Sequence, residues 1–339
     1  MKPFPEDQHT VQEALLRGFA GKHEYLRERR RDGTDRRVAS SKATAEKHFY
    51  SFVDSNGDLS SFVEDTLQTL ESKLPKLRAE LQTTGRLALP NKREFDLYVA
   101  YSLTRTRTVR DHMEQVGNLI LPTLWRTEVA SMFNIDLSRL TPETLSYFDQ
   151  FSRGILALAP SPPHDAQIRQ LRTFVNTADT FYRVLNHFRW THVSFDEPCL
   201  VTSDAGIGVA RPTSGGGLLP PNGTVFVPFS PTSVAIGTPR KKAPSATLSG
   251  RALERAVNES MVSGAFEQVL RHPDMDWPSY LQLNPDPPKL IITVTSRTMG
   301  ASDEKDVDPG AELKRRYQKD DLHPFTRRLM EPLIDASPI

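Results

Sequence analysis

Cysteine is nearly missing from this chain: Cys199 is the one copy in 339 residues. That excludes a disulfide framework within the chain and any paired-cysteine zinc or redox motif, and it fits a reducing compartment. Charge of one sign is missing too. Lys and Arg number 43 against 42 Asp and Glu, for a formal net charge of +1. No global field therefore draws the protein onto nucleic acid or acidic lipid, and any such binding needs a local patch. Long apolar runs are also lacking: no stretch of about 18 apolar residues occurs. The first residues carry no charged segment leading into an apolar one, so the expectation is a cytoplasmic protein with no membrane partner. Hydrophobic residues at 37% still suffice for a substantial core.

The chain divides by pattern. Residues 8–52 combine a short amphipathic helix, with Val11, Leu15, Leu16 and Phe19 on one face, and a β-hairpin. In the hairpin, Tyr25 to Arg31 and Arg36 to Ser40 flank the turn signal Asp32-Gly33-Thr34. Residues 59–187 read as helical. Val63, Leu67, Leu70, Leu74, Leu77 and Leu81 recur at spacings of three and four, with Pro75 bending or breaking the stripe. A second pattern runs from Asn91 past Thr108 with Phe95, Tyr98, Val99 and Leu103 inward. Thr141-Pro142-Glu143 has the N-cap and first-turn proline of a helix start, and a further helix covers His164 to Leu185.

Residues 188–297 turn to strands: Trp190 to Phe195, Cys199 to Ser203, Val225 to Phe229 and Ser233 to Gly237. Gly215-Gly216-Gly217 and Pro220-Pro221-Asn222-Gly223 mark a long loop. A helix is expected over about Gly250 to Leu270, then a β-like run at Leu290 to Thr295. Residues 298–339 are charged and weakly apolar, the composition of a loosely docked or disordered tail. The fold class expected is α+β, mainly helical, with an N-terminal hairpin and a small mostly antiparallel sheet in the second half. Residues 8–297 form one domain.

The order of several short blocks resembles an uncharacterised bacterial family, domain of unknown function 4238. The opening block is His9-Thr10-Val11-Gln12-Glu13-Ala14-Leu15-Leu16-Arg17-Gly18-Phe19. Ser41-Lys42 to Glu46 with Phe49-Tyr50 follows, then the helical glutamates Glu64 and Glu71, and the signature Thr202-Ser203-Asp204. Pro228 to Pro231, and Asn258 with Ala265, are similar to the last blocks. Gln12 replaces the usual proline, and Ala205-Gly206 stands where Asn-Pro normally follows the aspartate, so the chain looks like a divergent member. The resemblance implies no established activity.

Chemistry has to be argued from residue types. Asp204 closes an apolar β-run, where a carboxylate can bind Mg²⁺ or accept a proton with His9 or Glu71 as partner. Asp before Ala-Gly is equally a good turn residue that accepts backbone N–H bonds. His9 and Arg17, eight residues apart on one expected helix, lie about 80° apart around its axis and can share a face near a phosphate. The same pair also suits a helix-entry cap and a surface ion pair. The hairpin is locally basic: Lys22, Arg27, Arg29, Arg30, Arg31, Arg36, Arg37 and Lys42 oppose Glu24, Glu28, Asp32 and Asp35. A solvated charged turn accounts for it more readily. Arg105, Arg107 and Arg110 cannot all face one side of a helix, so at least one is structural.

Other motifs fail. Asp54 to Asp58 begins like a calcium loop, but Leu59 stands where glycine is required and Asp65 where a bidentate glutamate is expected. Gly206-Ile207-Gly208 lacks the third glycine of a dinucleotide fingerprint. The resulting expectation is a metal-assisted phosphodiester hydrolase acting on nucleic acid or a nucleotide. In it Asp204 and Glu71 hold Mg²⁺, His9 is acid or base, Arg17 clamps phosphate, and Thr202, Ser203, Arg29, Arg30 and Arg31 bind substrate. The alternative is a non-catalytic interaction protein, of a defence or toxin-associated kind, that contacts a partner through the basic hairpin.

Overall fold

In the computed structural model the described residues are 7–47, 49–54, 56–111, 130, 135–136, 139–148, 150, 163–210, 219, 222–240, 250–286 and 323–335. Helices and strands are mixed, and every strand pairing among these residues is antiparallel. The chain opens with strand β1 (Asp7–His9) and the five-residue helix α1 (Glu13–Arg17). The hairpin forms as the turn signal requires, with β2 (Tyr25–Arg30), β3 (Asp35–Ala39) and Gly33 at φ 87° in the turn. Next come β4 (Ala45–Lys47), which pairs with β1, and the short ribbon β5 (Phe52–Val53) with β6 (Leu59–Ser60). Between them, Asp54 Oδ1 accepts backbone N–H bonds from Asn56 at 2.9 Å and Asp58 at 3.1 Å, the bonding of a turn.

The leucine stripe is buried along its whole length but divided between two helices, α2 (Phe62–Glu71) and α3 (Leu74–Thr84). Pro75 sits in the first turn of α3, where its missing N–H costs nothing. Helix α4 (Leu89–Thr104) follows, and its Phe95, Tyr98, Val99 and Leu103 are buried. Residues 142–148 are helical, and Thr141 Oγ1 accepts the Thr144 N–H at 3.3 Å as an N-cap. Helix α5 (Pro163–Leu185) packs on α4 through Ile168, Leu171, Val175, Ala178 and Leu185.

Two four-stranded sheets carry the second half. One has the order β7-β11-β10-β9, from β7 (Phe188–Ser194), β9 (Gly208–Ala210), β10 (Thr224–Ser230) and β11 (Ser233–Pro239). Strand β10 is buried along most of its length, and its register shifts between Pro228 and Ser230, which is where a proline is tolerated in a sheet. Gly237 pairs with Trp190, and a Cβ there would lie 2.7 Å from the Trp190 ring, so glycine admits the indole. Trp190 Nε1 donates to Asp96 Oδ1 at 2.7 Å, and Asp96 pairs with Lys92, which ties β7 to α4.

The other sheet has the order β3-β2-β12-β8, where β8 is Thr202–Ser203 and β12 is Gln268–Arg271. Here the structure departs from the sequence reading twice. The helix expected over residues 250–270 stops at Gly264 as α6 (Gly250–Gly264), and the chain re-enters as β12. The hairpin is therefore one edge of a sheet shared with residues from the second half. Only Thr202–Ser203 of the run from Cys199 is strand. In the region read as a tail, helix α7 (Pro324–Asp335) packs on α5 and α2 with Leu329, Met330 and Leu333 buried. Composition misled there because three apolar residues on one helical face suffice for docking. The β-like run at Leu290 to Thr295 and the glycine loop at 215–217 lie outside the described residues. One apolar cluster runs from Val11 to Leu333 and takes in helices α1 to α7 and strands of both four-stranded sheets, while Phe148 packs with Ala130 in a separate small cluster.

Candidate functional site

A group of ionisable side chains in the interior centres on Arg105, just past the end of α4. Its side chain is 3% exposed. Nε donates to the Tyr50 hydroxyl at 2.9 Å, Nη1 pairs with Glu71 Oε1, and Nη2 lies 3.8 Å from Glu64 Oε2. Glu64 and Glu71 are seven residues apart on α2, two helical turns, and so present their carboxylates along one face. Burial opposes the Arg105 charge. Glu71, Tyr50 and Glu64 outweigh it, and the guanidinium is held well above its ordinary value. Burial pushes Glu64 upward against the pull of Arg105, so this acid protonates more readily than a free glutamate. Burial also drives the Tyr50 phenol upward.

His9 joins this group from β1. Its Nδ1 lies 3.3 Å from the Ala43 carbonyl, and the ring is partly buried. Burial lowers its pKa below the usual histidine value and Arg105 acts in the same direction, while Glu13, the Ala43 carbonyl and Glu71 pull the other way. The ring is thus biased to neutral, the form that accepts a proton. Arg17 stands at the solvent side, 55% exposed, with its Nη2 3.1 Å from Glu13 Oε1. Because α1 begins only at Glu13, His9 and Arg17 do not share a helix as expected, and Glu13 stands electrostatically between them.

Asp204 takes its bonds from backbone and none from these side chains, although it lines a cavity with Thr10 and Ala43, the neighbours of His9. Its Oδ1 accepts the Phe266 N–H at 2.8 Å, and its Oδ2 accepts those of Glu267 at 2.6 Å and Gln268 at 3.1 Å. These bonds hold the entry to β12 against β8. Burial raises the Asp204 carboxyl to about 6, with the Glu267, Phe266 and Gln268 N–H bonds working against it. The following Gly206 has φ 67°, and a Cβ there would meet Val11 at 2.9 Å. Thr202 and Ser203 are both wholly buried, and Ser203 Oγ accepts the Ala205 N–H at 3.2 Å. Their expected contact with substrate has no surface to occur on.

The expected Mg²⁺ pair also meets a geometric objection. Glu71 is salt-bridged to Arg105, Asp204 is saturated by backbone, and among the described residues no three His, Cys, Asp or Glu side chains converge as ligands. The hairpin arginines expected to bind nucleic acid are used internally. Arg31 donates to the carbonyls of Ala265, Phe266, Asn284 and Asp286. Arg30 pairs with the buried Glu28, and Arg29 lies over the Trp277 ring at 4.9 Å and 3.9 Å from Asp35. These three arginines serve the fold, while Arg36 and Arg37 on β3 are exposed.

Sequence reading missed Arg105 as the organiser of the site and Tyr50 as its partner. The available signal was the exclusion of three alternate arginines from one helical face, together with two glutamates at helical spacing.

Compared with known proteins, residues 7–274 match the family described as Protein of unknown function (DUF4238). No curated protein and no solved structure matches.

Proposed function

Because the chain belongs to the DUF4238 family of proteins of unknown function, its kinship brings no activity with it, and we propose from the site alone that it is an acid–base hydrolase of phosphodiesters. The observation that carries this reading is a neutral-biased His9 that feels both Glu13, at the solvent side, and the Arg105-bound Glu71. In this reaction His9 takes the proton from an attacking water as a new P–O bond forms. The Glu71 carboxylate stabilises the resulting imidazolium, which returns the proton to the leaving alkoxide as the old P–O bond breaks. Arg17, exposed and paired with Glu13 at 3.1 Å and with Glu24 at 3.9 Å, exchanges those carboxylates for the substrate phosphate. Arg105 and Tyr50 lie too deep to touch substrate and act by fixing Glu71.

The test is turnover of bis(4-nitrophenyl) phosphate and of single-stranded DNA and RNA by the full chain, with Mg²⁺ or with EDTA. His9→Gln is expected to lower the rate by roughly 100-fold or more, the usual weight of a general base. Arg17→Ala is expected to act mainly on KM. Turnover that is indifferent to His9→Gln in a folded protein refutes the assignment. Turnover that needs Mg²⁺ and vanishes with Asp204→Asn would return the chemistry to a metal centre.

A further inference from the structure

Away from the Arg105 group, the sheet β7-β11-β10-β9 carries a second pairing of a nucleophile with a base. Ser233 opens β11 and His192 lies in β7, where the backbone register sets His192 opposite Ala235, two residues from Ser233 on the same face. The imidazole Nε2 lies 2.8 Å from Ser233 Oγ. Helix α3 packs on β7 and brings Gln82, whose Nε2 donates to the same Oγ at 3.2 Å. With Gln82 donating to one lone pair of the hydroxyl, the serine proton is free to point at His192 Nε2. In the tautomer that accepts there, the pair has the arrangement a serine nucleophile needs.

The electrostatics agree with the geometry. Arg78, one turn before Gln82 on α3, lies with its guanidinium carbon 5.6 Å from the centre of the Phe229 ring and donates to the Phe229 carbonyl at 3.3 Å. Burial lowers the His192 pKa, and Arg78 lowers it further, so the ring is neutral and ready to take a proton at neutral pH. Ser233 is 5% exposed, but Gln82 and Ser194, its cross-strand partner, are both exposed. The hydroxyl therefore lies one side chain from solvent.

We propose that Ser233 and His192 form a serine–histidine dyad that takes acyl groups from short carboxylic esters. Ser233 Oγ attacks the ester carbonyl carbon while His192 takes its proton. The C–O bond to the alcohol breaks, and the alkoxide leaves with the proton from His192. Water, deprotonated by the same ring, then cleaves the acyl-serine and restores the hydroxyl. Arg78 and Gln82 are positioning residues: Gln82 orients the hydroxyl and Arg78 keeps the ring neutral. A base with no carboxylate partner among the described residues suits small, activated esters over amides.

A fluorophosphonate probe tests this without reference to phosphodiester turnover. On the wild-type full chain the Oγ–P bond forms as P–F breaks, His192 takes the proton, and fluoride leaves. Mass spectrometry is expected to place the label on Ser233, with a labelling rate that rises with pH through an inflection below the ordinary histidine value. His192→Gln is expected to slow labelling by roughly 100-fold, and hydrolysis of 4-nitrophenyl acetate is expected to fall in parallel. No label on the wild-type chain, a label on another residue, or an unchanged rate in His192→Gln overturns the proposal. Because the wild-type readout is the site of the label, a poorly folded variant cannot mimic success.

Discussion

Replacing Arg105 by methionine keeps much of the side-chain volume and removes the charge on which the interior carboxylates depend. Three interactions go at once: the 2.9 Å bond to Tyr50, the ion pair to Glu71 and the 3.8 Å approach to Glu64. Breaking a buried pair by deleting one partner costs about 3–5 kcal/mol, because the remaining charge stays desolvated and unpaired. Here two carboxylates are left, at 15% and 10% exposure, so some water reaches them and the lower half of that range, about 3–4 kcal/mol, is expected near neutral pH. The cost also depends on pH. Glu64 is already raised by burial and loses the opposing pull of Arg105. A carboxyl whose folded pKa exceeds its unfolded one contributes stability that is complete below the unfolded value and lost as pH rises through the folded value. The gap between wild type and variant is therefore widest near neutrality and narrows towards about pH 4. Urea unfolding of both proteins across that range measures it, and the Arg105→Met, Glu71→Gln double variant is expected to recover about 2 kcal/mol of the summed single costs. A single-variant cost under about 1 kcal/mol that does not change with pH would refute the reasoning.

Three further outcomes follow from the same geometry. The Asp204 carboxyl, raised to about 6 by burial, contributes stability that is lost between about pH 4 and 6; Asp204→Asn is expected to flatten that part of the stability profile, and an unchanged slope would contradict it. Leu329 is wholly buried in α7, so Leu329→Ala is expected to cost about 2–4 kcal/mol in thermal or chemical unfolding, whereas a loosely held tail would show no cost. The His9 imidazole is expected to titrate below the usual histidine value in an NMR experiment, and Glu13→Gln to lower it further, since Glu13 is the strongest influence pulling it upward. A titration at or above the ordinary value would remove the basis for His9 as a neutral proton acceptor.

Much of the architecture was legible because it is written in local patterns. Asp32-Gly33-Thr34 between two alternating runs determines a hairpin, since a tight turn there needs the positive φ that glycine supplies. The leucine stripe from Val63 to Leu81 determines a buried helical face, and Pro75 determines that it is two helices. Thr141 at the head of residues 142–148 caps them by its own side chain. Periodicity fixes which side of an element is buried.

What meets that buried side was decided by the tertiary structure alone. Residues 268–271 follow a helix closely and flank Val269 and Leu270 with the polar Gln268 and Arg271, and only pairing with Arg27–Arg30 and Thr202–Ser203, with Asp204 accepting three N–H bonds, makes them a strand. The hairpin arginines read as a free basic strip in one dimension, yet Arg31 is committed to carbonyls more than two hundred residues away in sequence. Arg105 is the same case in the interior. Sequence marks Glu64 and Glu71 as sharing a helical face, but the cation between them, and the His9 ring beside them, arrive from separate elements. A burial pattern specifies a surface and leaves its partner open; the charges that end up face to face are set by long-range packing.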